Sequence, residues 1–367
     1  MAGFDAARQI LDKAVAERVF PAAAVEVGRT SGWVWREGLG RLDYSAQASP
    51  TTPDTLFDLA SLTKVLATTT LAMTLVDSGA IDLDGPVNRW LPAWRGDGRD
   101  DVRVIDLLEH ASGLPGVRPL YQSSSGRAAF EAAICREELE YPPRSRSVYS
   151  DLGFILLGFL VESAGGAALD EQFDGVLRNA GHAATVCGRP VPDAGSLDLT
   201  FHPRNEWLRR MAPTRSDPTT GRSRPGTVDD PNAAALGGVA GHAGLFGTAP
   251  AVGWCAREIL GARLRRDGFA IAPPAIVERF TRRTTRVPGS SRALGWDTML
   301  PASSCGTHMS PQAFGHTGFT GTSLWIDPVA DIYVVLLTNR VHPEAGPGEP
   351  MTAVRRAFHD AVMNAVS

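Results

Sequence analysis

At 367 residues, with 43 % hydrophobic and 21 % charged residues, the chain has enough material for one large domain, or two closely joined ones, around a substantial core. A formal net charge of −4 supplies no general attraction for nucleic acid or an anionic membrane. The four cysteines, Cys135, Cys187, Cys255 and Cys305, are dispersed and form no CxxC pair, which argues against a zinc site or a thioredoxin-like motif.

In chain order, MAGFDAARQILDKAVAERVF reads as an amphipathic helix. It lacks a basic leader followed by an apolar stretch, so the expected location is cytoplasmic. Ala22–Val27 is a strand candidate, Gly32 a turn, Trp33–Arg36 a return strand, and Gly38–Asp43 its extension. Phe57–Gly79, FDLASLTKVLATTTLAMTLVDSG, reads as a turn entering a long helix. Ser61 is its expected N-cap, and Leu62, Val65, Leu66, Leu71, Leu75 and Val76 recur at near-helical spacing.

Ser61 and Lys64 are three residues apart and share one helix face. Only Lys13 and Lys64 are lysines; the other 34 basic residues are arginines, which do not give up a proton in proteins. One of two lysines thus stands where it could activate a serine nucleophile.

Helices are expected over Val104–His110, 126–138, Leu152–Ala164 and Ala168–Ala180, a run that suggests a helical subdomain. The apolar run at 154–161, FILLGFLV, is too short to cross a bilayer. Residues 183–236, rich in Pro, Arg, Asp and Thr, read as long surface loops. Gly237–Gly247 is a glycine-spaced turn without the preceding strand that a dinucleotide site needs. Two helices follow near 249–263 and 273–281. Ala313–Phe319, Thr322–Asp327 and Ile332–Asn339 read as successive strands, and Met351–Val366 as a closing amphipathic helix. Strands at both ends with helices between them predict an α+β body: one sheet built from both termini, and an inserted helical portion. The expected division is 1–80, 81–285 and 286–367.

Three short motifs stand in order: Ser61-Leu62-Thr63-Lys64, Tyr149-Ser150-Asp151 and His316-Thr317-Gly318. With LLEHASGLPG at 107–116, GGVAGHAGLFG at 237–247, LGWD at 294–297 and HTGFTGTSLWIDP at 316–328, the chain resembles the penicillin-recognising serine hydrolases. Within them it resembles the group of class C beta-lactamases, D-alanyl-D-alanine carboxypeptidases, D-aminopeptidases and related esterases. The resemblance implies a beta-lactamase/transpeptidase-like fold, with an antiparallel sheet flanked by helices, an all-helical subdomain, and the active site in the groove between them.

It further implies that Ser61 attacks a carbonyl and is acylated, that Lys64 accepts or relays the serine proton, and that Tyr149 shares base duty. The phenol is expected to have its pKa depressed by the neighbouring cation. The backbone amides of Ser61 and Phe319 would form the oxyanion hole. Asp151, His316, Thr317, Gly318 and His242 are candidate substrate-binding residues. His242 lines the groove or merely caps its turn, and Asp229-Asp230-Pro231-Asn232 approaches the groove or merely anchors a loop. His110 resembles the family's structural histidine. No HExxH or carboxylate cluster at ligand spacing is present, so neither metal nor other cofactor is expected.

Two departures narrow the expected substrates. Asp151 stands where the family usually has asparagine, and an ionised carboxylate only accepts hydrogen bonds. It would either pair with Lys64, raising the lysine pKa, or accept from a donor on the substrate. His316 stands in place of the usual lysine and gives a weaker grip on a substrate carboxylate. The leading expectation is an esterase or lactonase acting on a small-molecule substrate. The alternatives are a D-amino-acid peptidase, amidase or DD-carboxypeptidase, a weak class C-type beta-lactamase on lactams, and a non-catalytic ligand-binding protein. Neither a nucleic-acid nor a membrane partner is expected.

Overall fold

The computed structural model describes residues 3–191, 197–217, 219–221, 223, 225–269 and 271–366. The loop reading of 183–236 therefore lies outside the described residues at 192–196, 218, 222 and 224.

The chain opens with α1 (Asp5–Ala16) and the hairpin β1 (Ala22–Arg29) and β2 (Gly32–Gly40). The return strand and the first part of its expected extension are one strand, which starts at Gly32, expected as the turn, and stops at Gly40, three residues before the expected Asp43. After β3 (Phe57–Asp58) come a π-helical segment, Lys64–Thr69, and α2 (Thr70–Asp77). Next are α3 (Val104–Leu108), α4 (Arg127–Ile134), α5 (Asp151–Gly165) and α6 (Leu169–Val186). The short elements β4 (Leu199–Thr200), α7 (Pro231–Ala235) and β5 (Phe246–Gly247) follow. α8 (Ala249–Arg263), α9 (Pro274–Thr281), β6 (Asp297–Thr298), β7 (Phe314–Thr317), β8 (Ser323–Asp327), β9 (Ile332–Thr338) and α10 (Glu349–Val366) complete the described chain.

One antiparallel sheet runs β2-β1-β9-β8-β7-β6, so its strands come from both ends of the chain. Alternate residues of β9 enter different cores. Ile332, Val334 and Leu336 pack with Leu11 of α1 and Phe358 of α10, whereas Tyr333, Val335 and Leu337 belong to the core containing Val252 and Ile259 of α8. A strand buried on both faces needs no polar alternation, which is why YVVLLT reads as an unbroken apolar run.

α5 is the centre of the helical layer. Residues from Leu152 to Val161 are all buried, so it is apolar on every side, as a core helix should be. Ser150 caps it by accepting from Gly153 N–H at 3.0 Å, and Gly166 closes it in the left-handed conformation. α6 runs six residues beyond its expected end because Ala184 still packs in the core.

A second small sheet, β3-β5-β4, ties the turn before Ser61 to the end of the glycine-rich turn. That turn also lies directly on α5. A Cβ added at Gly158 would come within 2.9 Å of Gly241 Cα, and one at Gly241 within 2.2 Å of the Phe154 carbonyl. Gly158→Ala is expected to push the turn off the helix, at a cost of about 1–3 kcal/mol. It should also lower kcat, because residue 242 touches Lys64 through its carbonyl. Urea unfolding and steady-state kinetics on the variant check both effects.

Candidate active site

Ser61 follows Ala60, a non-glycine residue in the left-handed region at φ +48°. The Asp58 carboxylate accepts from Ala60 N–H at 2.8 Å and from Asp229 N–H at 2.7 Å, bracing this strained turn. From the other side, Thr320 Oγ1 donates to the Asp58 carbonyl at 2.8 Å and Thr322 Oγ1 to the Leu59 carbonyl at 3.1 Å. The turn carrying Ser61 and the turn carrying Phe319 are thereby fixed to each other. Their contact requires Gly318, where a Cβ would meet Thr322 Oγ1 at 2.1 Å and the Leu59 carbonyl at 2.7 Å.

Ser61 is not a helix cap. Its hydroxyl oxygen accepts from Lys64 Nζ at 3.0 Å and from Tyr149 Oη at 2.8 Å. The expected cap is overturned because these two side chains take the oxygen. Leu62 and Thr63 are already helical, and π geometry, a form frequent at functional sites, runs from Lys64 to Thr69. Among the described residues, the backbone N–H groups of Ser61 and Phe319 have no hydrogen-bond acceptor, as an oxyanion hole requires.

Lys64 is fully buried and its ammonium is completely engaged, donating also to Asp151 Oδ1 at 2.7 Å and to the His242 carbonyl at 3.1 Å. Of the two roles open to Asp151, the geometry selects the ion pair. Burial alone would lower the lysine pKa, but the Asp151 carboxylate and then Tyr149 outweigh it, and the ammonium titrates above its ordinary value. The Tyr149 phenol is also raised, chiefly by burial; Lys64 pulls it down and Asp151 pushes it up. The expected depression of the phenol is therefore corrected: desolvation exceeds the pull of a cation that Asp151 has largely neutralised.

Tyr149 is seated against the His110 ring at 4.7 Å between centroids, and His110 Nδ1 accepts from Ser150 N–H at 3.0 Å. His316 lies 5.7 Å from the Tyr149 ring. Burial, followed by Lys64 and Arg292, holds the His316 pKa well below its usual value, so this ring is neutral. Its Nδ1–H donates to the Thr317 carbonyl at 2.8 Å, which leaves Nε2 as a buried acceptor without a partner. His316 thus provides no fixed positive charge.

These groups border a groove of about 580 Å³, lined by Ser61, Tyr149, Asp151, His242, His316, Thr317, Gly318 and Phe319. The His242 ring pairs with Asp230 at 2.9 Å, and Asp230 also caps α7 by accepting from Ala233 N–H at 2.7 Å. The acidic stretch therefore does both things expected of it: Asp229 and Asp230 reach the groove and anchor its wall. Sequence reasoning missed four arginines of the lining, Arg215, Arg292, Arg340 and Arg355. Among 34 arginines nothing marked them, although Met351, Thr352 and Arg355 share helical spacing at the start of α10.

Asp58 carries its own pH signature. Its burial pushes the carboxyl up to about 7, against the backbone donors that favour its charge. The folded protein holds this proton more tightly than the unfolded chain, so the contribution of Asp58 to stability falls as pH rises from about 4 to 7, by at most about 1.4 kcal/mol per pH unit. In Asp58→Asn that slope should vanish. Urea midpoints of both proteins from pH 4.5 to 8 test it; parallel curves would refute the assignment.

Comparisons with known proteins bear on the family and the fold. The family model described as Beta-lactamase matches residues 7–357. The chain belongs to the beta-lactamase family. It is 31 % identical over 336 residues to a Salmonella gallinarum protein that carries a D-alanyl-D-alanine carboxypeptidase designation; the match covers 81 % of this chain and 72 % of that protein. Among solved structures, EstCE1, described as a hydrolase with promiscuous acyltransferase activity, superposes with a TM-score of 0.71 at 22 % identity, over 97 % of this chain and 98 % of EstCE1. A penicillin-binding protein homologue from Caulobacter crescentus gives 0.70 at 22 % identity, over 98 % and 97 %. The beta-lactamase/transpeptidase-like α+β fold and the standing of the chain as a serine hydrolase follow. Among the described residues no single helix is long and apolar enough to cross a membrane.

Proposed function

We propose that this beta-lactamase-family protein hydrolyses small carboxylic esters or lactones through an acyl-enzyme on Ser61. The observation that carries the reading is the contact of one serine oxygen with both Lys64 Nζ and Tyr149 Oη at the floor of the groove. Ser61 Oγ forms a bond to the substrate carbonyl carbon. Its proton passes to Tyr149 or Lys64 once either has been deprotonated. The oxyanion takes the N–H groups of Ser61 and Phe319, worth a few kcal/mol each at such sites. The C–O bond then breaks and the alcohol leaves with the proton; water adds to the acyl-enzyme by the reverse route and releases the acid.

Two features favour esters over amides. Asp151, ionised and paired with Lys64, has no proton to offer a substrate amide carbonyl. His316, neutral, holds no carboxylate by charge. The second reading, a D-amino-acid peptidase or carboxypeptidase, is favoured by the designation of the Salmonella relative. Initial rates on p-nitrophenyl esters, γ-lactones, N-acyl-D-alanyl-D-alanine and nitrocefin separate the two. The ester reading expects kcat/KM for the best ester to exceed that for the best amide or lactam by at least about a hundredfold; the reverse order would overturn it.

A further inference from the structure

The outer edge of β7 is open over the groove. β6 pairs with it only at Phe314 and Gly315. Gly318 N–H donates to the Thr322 carbonyl at 2.8 Å, so by the alternation of an antiparallel ladder Thr317 turns its backbone N–H and C=O away from β8. Phe319, the next residue on that outer side, opens the turn and lines the groove together with Ser61. Such an edge ordinarily offers donors and acceptors in alternation, the pattern that lets an extended peptide add as a strand.

Here the acceptors are already taken by side chains. The Thr317 carbonyl receives His316 Nδ1–H at 2.8 Å. The Phe319 carbonyl receives Arg340 Nε–H at 2.8 Å. Arg340 is fixed in place: its Nη1 donates to the Gly346 carbonyl at 3.1 Å, its backbone N–H to the Thr320 carbonyl at 3.0 Å, and its guanidinium lies 4.7 Å from the Phe319 ring centre. Among the described residues the Phe319 N–H has no acceptor, and the Thr317 N–H, by the same alternation, faces away from β8. The groove edge therefore presents donors, backed by a guanidinium where a substrate N–H would seek a carbonyl.

We propose that Arg340, with His316, is a specificity device that admits acyl groups bearing hydrogen-bond acceptors and rejects acyl groups bearing an amide N–H. The inference rests on the ester-hydrolase reading and names the acyl class within it: keto, alkoxy or carboxy acyl chains in place of N-acylaminoacyl ones. A carbonyl oxygen has a second lone pair, but the approaching N–H meets the positive guanidinium at the same oxygen, so the second bond is disfavoured electrostatically.

Two esters that differ by one atom test it: p-nitrophenyl 4-oxopentanoate and N-acetylglycine p-nitrophenyl ester, in which NH replaces CH2. The wild-type protein should prefer the oxopentanoate by about tenfold in kcat/KM beyond the ratio of their uncatalysed hydrolysis rates. Arg340→Leu, which frees the Phe319 carbonyl, should bring the corrected ratio to about one or reverse it. Arg340→Lys, which retains a donor, should keep much of the preference; Arg340→Gln provides a second uncharged variant should the leucine protein fail to fold. A corrected ratio near one in the wild type, or one unmoved by both uncharged variants while Ser61 is still labelled by a fluorophosphonate, overturns the role of Arg340 and leaves the hydrolase reading standing. No turnover of either ester together with no labelling of Ser61 overturns the hydrolase reading, and this proposal with it.

Discussion

Ser61→Ala should abolish turnover of every substrate the protein accepts, lowering kcat by about 10⁴- to 10⁶-fold, while its urea midpoint stays close to that of the wild type. The chemical loss is large because the attacking oxygen is removed and neither Lys64 nor Tyr149 can take its place. The structural loss is small because this hydroxyl supports no helix end; among the described residues its hydrogen bonds are those to Lys64 Nζ and Tyr149 Oη. The braces of the turn, Asp58, Thr320 and Thr322, remain. Intact-mass analysis after treatment with a fluorophosphonate or a penicillin is the direct readout. One adduct per chain is expected on the wild type and none on the variant; labelling that persists in Ser61→Ala would sink the assignment.

Asp151→Asn should move the acid limb of kcat/KM to lower pH by about 1–3 units, the usual effect of removing an opposite charge at this range. The wild-type rate should climb steadily into the alkaline range, because the base must be deprotonated and both Lys64 and Tyr149 titrate above their ordinary values. Asp151 raises both of them, so its removal acts in one direction on either choice of base. At pH 7 the gain should be about tenfold or more. The asparagine also restores a donor beside the nucleophile, so the ratio of nitrocefin to p-nitrophenyl ester turnover should rise. Breaking a buried ion pair costs about 3–5 kcal/mol if the partner stays charged. Because Lys64 can shed its proton, the deficit should shrink as pH rises. An unmoved acid limb with an unchanged substrate ratio would refute this account of Asp151.

Much of the fold was legible in the sequence where local signals and burial agree. α5 was placed to within a residue at each end, because it is a strongly apolar stretch that a buried core helix requires. β8 and β9 were placed because turn residues bracket continuous apolar runs. β3, β4 and β5 were missed, since two residues carry no periodicity and such strands exist only once distant segments meet. The π-helical segment from Lys64 to Thr69 was equally invisible, because its sequence satisfies the α period as well.

In the site, motif spacing was enough to nominate Ser61, Lys64, Tyr149 and the His316-Thr317-Gly318 strand, because each motif lies on one local element and its residue types limit the chemistry. Protonation was decided by tertiary structure. The same lysine would be an available base beside an asparagine, yet it is held as an ammonium by a carboxylate 87 residues away that arrives at 2.7 Å. The acceptor-poor edge of the groove was decided there too: Arg340 is one arginine among 34 until the turn after β9 lays it against the Phe319 carbonyl. Residue identity fixes which atoms can react. Burial and long-range neighbours fix their charge and what they accept, because desolvation and Coulomb interactions depend on distances that only the folded chain sets.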